Sequence, residues 1–420
     1  MKLTRRTLIG SGLTATALLA APSVFGQAKP KIVIIGGGAG GATAARYLAK
    51  DGAGALDVTL VEANPVYTTC FFSNLYLGGF REFESLQHGY DKIAAGGVTV
   101  INDLATGVDR NARTVTLAGG QTLAYDRLIL SPGIDFKDGS VPGWSVEAAE
   151  KMPHAYKAGP QTQLLKSMVE AMPAGGVFAM IAPPNPYRCP PGPYERISMI
   201  AHLLKQKNPT AKIMVLDPKD KYSKQALFEE GWAKHYDGMI EWIGPDFGGG
   251  AVEVRPDSME IVVDGTVEKI DACNVIPGQI AGKIAQIAAV TDDKGWAPVH
   301  PENMKSKMDD NVYVLGDSSA QGDMPKSGFS ANSQAKVAAM SIRGELLGSK
   351  VFPAKYSNTC WSLIAPDDGV KVGASYQPTP EKIASVESFI SQTGEDAALR
   401  KATYEESLGW YEGITTDMFG

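Results

Sequence analysis

Cys189 stands in the run Pro183-Pro-Asn-Pro-Tyr-Arg188-Cys189-Pro-Pro-Gly192-Pro-Tyr-Glu195-Arg196, with a cation beside it and a carboxylate six residues on. A neighbouring cation favours thiolate, the nucleophilic form of cysteine, and a carboxylate within reach can relay protons. Cys360 lies 171 residues further along, so only the fold can bring it to Cys189. Two accessible thiols in an oxidising compartment pair as a disulfide. Such a bridge has a structural reading, in which closing so long a loop stabilises by about 5 kcal/mol, and a redox reading, in which it accepts electrons. Spacing alone leaves both open and favours the structural one, as most secreted disulfides are structural. Cys70 has no second cysteine within four residues, and Cys273 begins an apolar run, where a buried core thiol is expected. The chain has no C-x-x-C, C-x-x-C-H or H-E-x-x-H, and its five histidines are scattered, so neither a haem of its own nor a metal site is expected.

A second chemistry is written in Lys31-Ile-Val-Ile-Ile-Gly36-Gly-Gly38-Ala-Gly-Gly41. An apolar run suited to a buried strand leads into G-x-G-x-x-G, and an alanine-rich stretch with helix propensity follows. The three glycines give a tight turn, room for a pyrophosphate against the backbone, and close helix–strand packing. The helix start beyond them offers unpaired N–H groups to the phosphates. A second apolar run, Asp57 to Val61, ends in Glu62, 21 residues past Gly41, where a ribose hydroxyl partner belongs. A dinucleotide is expected here.

The elements that must position these residues follow from composition and order. The chain has 420 residues, a net charge of −6 and 44% hydrophobic residues, which suits two or three soluble domains and does not favour nucleic acid. Residues 1–27 read as an address: Arg5-Arg6, a modest apolar stretch from Leu8 to Ala21, then small residues at a cleavage point. The stretch is shorter than the ~20 apolar residues a spanning helix needs. A twin-arginine leader carries folded, cofactor-loaded proteins, so the expected location is the bacterial periplasm, with no membrane anchor in the mature chain.

After Glu62 comes the loop Ala63 to Asn74 with Cys70, on the ligand side of such a sheet. Val98 to Ile101 reads as a strand. Leu104-Ala105-Thr-Gly-Val-Asp109 leads into a hairpin from Thr114 to Tyr125 that turns at Gly119-Gly120, and Asp126 to Leu130 returns as a strand. This order resembles the FAD domain of flavoproteins with two dinucleotide-binding domains, typified by the disulfide reductases. A further marker of that group, an apolar strand ending in Gly-Asp near the flavin's ribityl or phosphate end, is matched by Asn311-Val-Tyr-Val-Leu-Gly316-Asp317. The expected fold class is α/β, with two Rossmann-like domains and a C-terminal α+β domain. Residues 28–150 and 282–350 are assigned to a discontinuous FAD domain, 151–281 to the second Rossmann-like domain and 351–420 to the C-terminal domain. In the second domain, strand Gly175–Ala182, helix Tyr194–Leu204 and strand Lys212–Asp217 repeat the first. Between that strand and helix, a proline-rich run with one central glycine stands where a nicotinamide domain needs its N–H-rich loop. Proline has no N–H to give, so no NAD(P) site is expected. A hairpin is expected from Val252 to Asp271.

Taken together, the mature chain resembles the flavoprotein subunit of the flavocytochrome c sulfide dehydrogenases. The resemblance rests on Tyr67-Thr-Thr-Cys70-Phe-Phe-Ser-Asn, His88-Gly-Tyr90-Asp, Pro153-His-Ala-Tyr-Lys-Ala-Gly159 and Arg188-Cys-Pro-Pro-Gly-Pro-Tyr-Glu-Arg196. Gly316-Asp317, Met324-Pro-Lys326-Ser-Gly-Phe-Ser-Ala-Asn332 and Asn358-Thr-Cys360 complete it. The resemblance implies FAD bound covalently through its 8α position to Cys70, a redox disulfide between Cys189 and Cys360, and Glu195 as a carboxylate near the flavin. It also implies that Gly36, Gly38, Gly41, Glu62, Ala105, Gly316, Asp317 and Lys326 bind the cofactor, with Lys326 at a helix start that stabilises reduced flavin. The implied activity is oxidation of sulfide to sulfane sulfur or polysulfide. Its implied electron acceptor is a c-type cytochrome subunit that carries the haem and forms a heterodimer with this chain. A sulfide:quinone oxidoreductase and a non-catalytic redox partner of a sulfur-oxidising complex are the alternatives.

Overall fold

The computed structural model describes residues 28–420, so the leader expected over 1–27 lies outside the described residues. The apolar run at Lys31 becomes the central strand Lys31–Ile35, with Ile32 and Ile34 fully buried. It pairs in parallel with Asp57–Val61 on one side and Arg127–Leu130 on the other. Thr99–Ile101 extends one edge and Asp309–Val314 the other, both parallel; the short strand Lys305–Ser306 closes the sheet antiparallel. Strands 180 residues apart in the chain thus share one sheet. Register aligns Ile35 with Leu130 and Val61, and Leu130 with Val314. Gly36, Glu62, Ser131 and Gly316 therefore leave the sheet at the same carboxyl edge, the ligand edge of open parallel sheets.

The intervening segment builds a second parallel sheet in the order Ile240–Ile243, Lys212–Leu216, Val177–Ile181, Ala272–Val275. Cys273 lies in the last of these, completely buried. The helix expected from Tyr194 starts earlier and spans Gly192–Lys207. Pro193 is tolerated in its first turn because an N–H there has no intrahelical acceptor. The hairpin expected at Val252 is instead a three-stranded meander, Val252–Arg255, Glu260–Val263 and Thr266–Lys269. Asp264-Gly265, both at positive φ, make a second tight turn that the longer reading passed over.

The C-terminal part is an antiparallel sheet of Tyr356–Ala365, Asp368–Pro378 and Ile383–Ile390, followed by the helix Ala397–Phe419. Asp396 caps that helix by accepting from the Leu399 amide at 2.9 Å. The helix end returns to the first domain: Arg46 donates to the carbonyls of Thr416 and Asp417, and Asn332 donates to Asp417 at 2.8 Å. Cys360 is thereby carried to the same side of the molecule as the glycine loop.

Candidate functional site

At the carboxyl edge of the first sheet lies a cavity of about 870 Å³. Gly36, Gly38, Glu62, Cys70, Ala105, Gly316 and Asp317 all face it. Gly36 sits at φ +99, where a Cβ would fall 2.3 Å from the carbonyl oxygen of Ser131. Gly41 does not face the cavity; a Cβ there would fall 1.8 Å from the Gly36 carbonyl oxygen, so its part is the close approach of helix to loop. Glu62 is fixed by the amides of Gly37, at 2.7 Å, and Asn64, at 3.0 Å.

Two polar groups facing this cavity are incompletely bonded. Asp317 is buried with Oδ1 unpartnered, and Arg188, whose Nη1 lies 3.7 Å from Asp317 Oδ2, has Nη2 unpartnered. Buried polar groups are ordinarily bonded, so this acceptor and donor fit a bound polar molecule. Ser327 caps the helix Gly328–Leu347 by accepting from the Ser330 amide at 3.0 Å, and Ser327 and Gly328 both face the cavity. A glycine-lined loop, a second helix start and a paired Asp–Arg fit FAD as the group held here.

Lys326 is a correction. Its ammonium turns back to the carbonyls of Asp317, at 2.8 Å, and Ser319, at 2.7 Å, lies 3.7 Å from the centre of the Trp296 ring, and does not face the cavity. Burial lowers its pKa to about 7. The cations that do line the cavity are Lys157, Lys283 and Arg188, of which Arg188 pairs with Asp317.

Beyond Cys70 and Arg188, which face both, lies a smaller cavity of about 80 Å³. Cys189, Cys360, Glu195 and Asn74 line it, with Trp361 and Trp410 as aromatic wall. Cys189 is held at φ +54, its amide donating to the Lys326 carbonyl at 2.7 Å and its carbonyl accepting from Gly192 at 2.7 Å. A non-glycine residue in the left-handed region persists only where its surroundings dictate it. Cys360, buried in its strand, receives the Asn358 amide on Sγ at 3.4 Å. Both cysteines are free thiols here. Burial pushes the Cys189 thiol well up, against the opposing pull of Lys224. It also raises the thiol of Cys360, which Asn358 and Lys224 draw back down. Arg188 lines this cavity with Cys189 while engaging Asp317, and a second cation, Lys224, holds the carbonyl of Cys360 at 3.0 Å.

Glu195, in the first turn of its helix, accepts from Asn74 at 2.8 Å and from the Leu363 amide at 2.9 Å. Burial raises its pKa despite these bonds. Arg196 beside it is spent on the frame, donating to Asn74, Asn274 and the carbonyls of His154 and Ala155.

Where a nicotinamide ribose would meet an acid in the second domain stands Asp217, just past the strand Lys212–Leu216. It accepts from Tyr194 at 2.6 Å and Trp242 at 3.1 Å, and pairs with Lys219 at 2.6 Å. Tyr222 stacks on Tyr194 at 3.7 Å. The domain's own side chains take up that acid.

Sequence reading missed Lys224, Asn74 and Asn358. Asn358 was within reach, being two residues from Cys360 on the same strand face. Lys224 gave no local signal, since its site is completed by residues 136 and more positions away.

Family comparisons agree with this geometry. Residues 162–277 match the central part of the sulfide dehydrogenase (flavocytochrome c) flavoprotein chain, residues 353–419 match flavocytochrome c sulphide dehydrogenase, flavin-binding, and residues 30–166 match pyridine nucleotide-disulphide oxidoreductase. Among curated proteins, the mitochondrial sulfide:quinone oxidoreductase of Mus musculus is 24% identical over 303 residues, 68% of this chain. That of Dictyostelium discoideum is 22% identical over 302 residues, 69% of this chain. Each match spans 65% of the relative's own length. Among solved structures, the sulfide:quinone oxidoreductase of Aquifex aeolicus superposes with a TM-score of 0.68 at 18% identity, covering 92% of both chains. A NAD-dependent persulfide reductase from A. fulgidus gives 0.62 at 16% identity, covering 90% of this chain and 77% of that one. Two of its three parts are thus similar to the flavocytochrome c sulfide dehydrogenase flavoproteins, on a disulfide-oxidoreductase fold.

Proposed function

We propose that this chain is a periplasmic sulfide dehydrogenase flavoprotein that oxidises sulfide through a Cys189–Cys360 disulfide beside FAD tethered to Cys70. The observation that carries the reading is the shared cavity: Cys189 and Cys360, from different domains, face one small space, and Cys70 lies between it and the glycine-loop cavity. FAD, when bound, supplies a two-electron acceptor that releases electrons singly to a c-type haem on a partner subunit. Everything before that transfer is done by this chain's side chains.

Hydrosulfide attacks the Cys189 sulfur of the disulfide; the new S–S bond makes a persulfide on Cys189, and the broken one leaves a thiolate on Cys360. One negative charge enters and one remains, so the step balances. Glu195, its carboxyl raised by burial, is placed to take the proton when hydrogen sulfide itself enters. A second hydrosulfide attacks the outer sulfur of the persulfide, breaking its bond to Cys189, so that sulfane sulfur leaves as hydrodisulfide and Cys189 is left reduced beside the Cys360 thiolate. The pair would close again as the disulfide by giving its two electrons to the FAD held beside it. Replacing Cys189 by Ser should abolish bleaching of the flavin by sulfide while FAD stays attached; full turnover in that variant overturns the scheme.

One observation favours quinone as acceptor instead: the curated relatives reported above are sulfide:quinone oxidoreductases. Against it, the last helix places Glu405, Glu406 and Glu412 at the surface. Reduction of a soluble quinone by sulfide with no cytochrome present would decide for the quinone reading.

A further inference from the structure

Lys224 sits at φ +62 immediately before the helix Gln225–His235, and its side chain runs inward beneath the strand that carries Cys360. The ammonium donates to the Ser362 hydroxyl at 2.8 Å, the Cys360 carbonyl at 3.0 Å and, more weakly, the Val370 carbonyl at 3.4 Å. All three acceptors are neutral. Lys219, buried in the same domain, has Asp217 at 2.6 Å, whereas no carboxylate among the described residues lies within 4.0 Å of Lys224. A buried cation without a counter-ion is costly, so its surroundings call for an anion in some state of the protein.

Ser362, which the ammonium holds, lines one cavity with Cys360, Glu195 and Cys189, and these are the titratable groups whose charges act on it. Glu195 has both carboxylate oxygens engaged, by Asn74 and by the Leu363 amide. Those donors hold Glu195 away from the ammonium, which it does not reach within 4.0 Å, whereas the ammonium is bonded to the residue that carries the Cys360 sulfur. We propose that Lys224 is a positioning residue whose ammonium, pinned on the Cys360 carbonyl, balances the charge left on the Cys360 sulfur when the disulfide opens. This rests on the reading of Cys189 and Cys360 as a redox pair, and it accounts for the end of the disulfide at which charge develops. Asn358, donating to the same sulfur at 3.4 Å, works with it. Burial lowers the Lys224 pKa to about 8, against the opposing pull of Cys360, Glu195 and Cys189. A thiolate beside it opposes that lowering, and by linkage the ammonium lowers the pKa of the thiol.

The test is the reduction potential of the Cys189–Cys360 pair in the holoenzyme, equilibrated with dithiothreitol buffers from neutral to alkaline pH. Free thiols are counted by maleimide labelling after an acid quench into denaturant. The slope of potential against pH changes at the thiol pKa. In Lys224→Gln, which keeps a donor but loses the charge, that break should move up by about 1–3 pH units, and Lys224→Arg should return it most of the way. Ser362→Ala, which removes one anchor of the ammonium, should move it in the same direction by less, and it decides the matter if Lys224→Gln fails to fold. A break that stays in place in the folded variants overturns the role of Lys224 alone. An oxidised wild-type chain that gains no pair of thiols on reduction overturns the disulfide reading, and this proposal with it.

Discussion

At the scale of single residues, the site is defined by which polar groups have spare valence. Cys70 and Arg188 belong to both cavities, and Asp317 and Arg188 each keep an unused polar atom beside the larger one. If Cys70 is the tether, Cys70→Ser should still bind FAD through the glycine loop but release all of it into the supernatant on acid precipitation, where the wild type keeps its colour in the pellet. Glu195 makes a prediction about stability. Its pKa is raised in the folded chain, so the folded state holds the proton more tightly than the unfolded one. The stability difference between wild type and Glu195→Gln should therefore fall as pH rises from the ordinary carboxylate range through the folded value, and be flat above it. Denaturant titrations at a series of pH values check this; a difference that grows across that window would mean the carboxylate is favoured by folding. Lys326 shows why residue-scale reading fails where it does. Its place before a helix start was visible in the sequence, but the direction of its side chain was set by two carbonyls and a tryptophan ring that the sequence does not order.

At the scale of elements, strand–loop–helix units decide what each domain can bind. The two Rossmann-like domains share that unit and differ in the loop: Gly36 to Gly41 in one, the proline-rich run around Cys189 in the other. This difference was legible because glycine and proline act on the backbone locally, without help from the fold. The meander at Val252 was less so, since Asp264-Gly265 is a short turn inside what reads as one continuous hairpin arm. Gly41 tests the first unit. A methyl group there would meet the Gly36 carbonyl oxygen at 1.8 Å, which backbone cannot relieve without parting helix from loop. Gly41→Ala should destabilise by about 1–3 kcal/mol as overpacking and lose most of its FAD in dialysis if the tether is also removed by Cys70→Ser. Differential scanning fluorimetry and the flavin-to-protein absorbance ratio give the two readouts.

At the scale of the molecule, the site exists only because three parts of the chain close on each other, and the C-terminal part is the one whose placement the sequence said least about. Its motif Asn358-Thr-Cys360 was recognisable, but the contacts that seat it are scattered ion pairs. Arg400, in the last helix and nearly buried, donates to Asp368 at 3.1 Å in the C-terminal sheet and to Glu230 at 2.7 Å in the helix that follows Lys224. The strand Asp368–Pro378 pairs with the strand of Cys360, placing Val372 opposite it. One guanidinium thus ties together the last helix, the sheet bearing one thiol and the helix next to Lys224. Removing one partner of a buried pair strands the other, at a cost of about 3–5 kcal/mol. Arg400 also pairs with Glu395 at 3.0 Å, so its loss would leave Glu395 and Asp368 without it in the interior, Asp368 keeping His235 at 2.7 Å, and a half-exposed Glu230 at the edge. Arg400→Met should lower the unfolding free energy by about that amount, and Glu230→Gln should recover part of it in the double variant. The stability loss should appear together with faster labelling of Cys360 in the reduced protein, while the flavin content stays at the wild-type level, because the glycine-loop cavity does not draw on Arg400. Loss of flavin in step with stability would mean that the three parts unfold as one unit and that the C-terminal sheet has no local opening of its own.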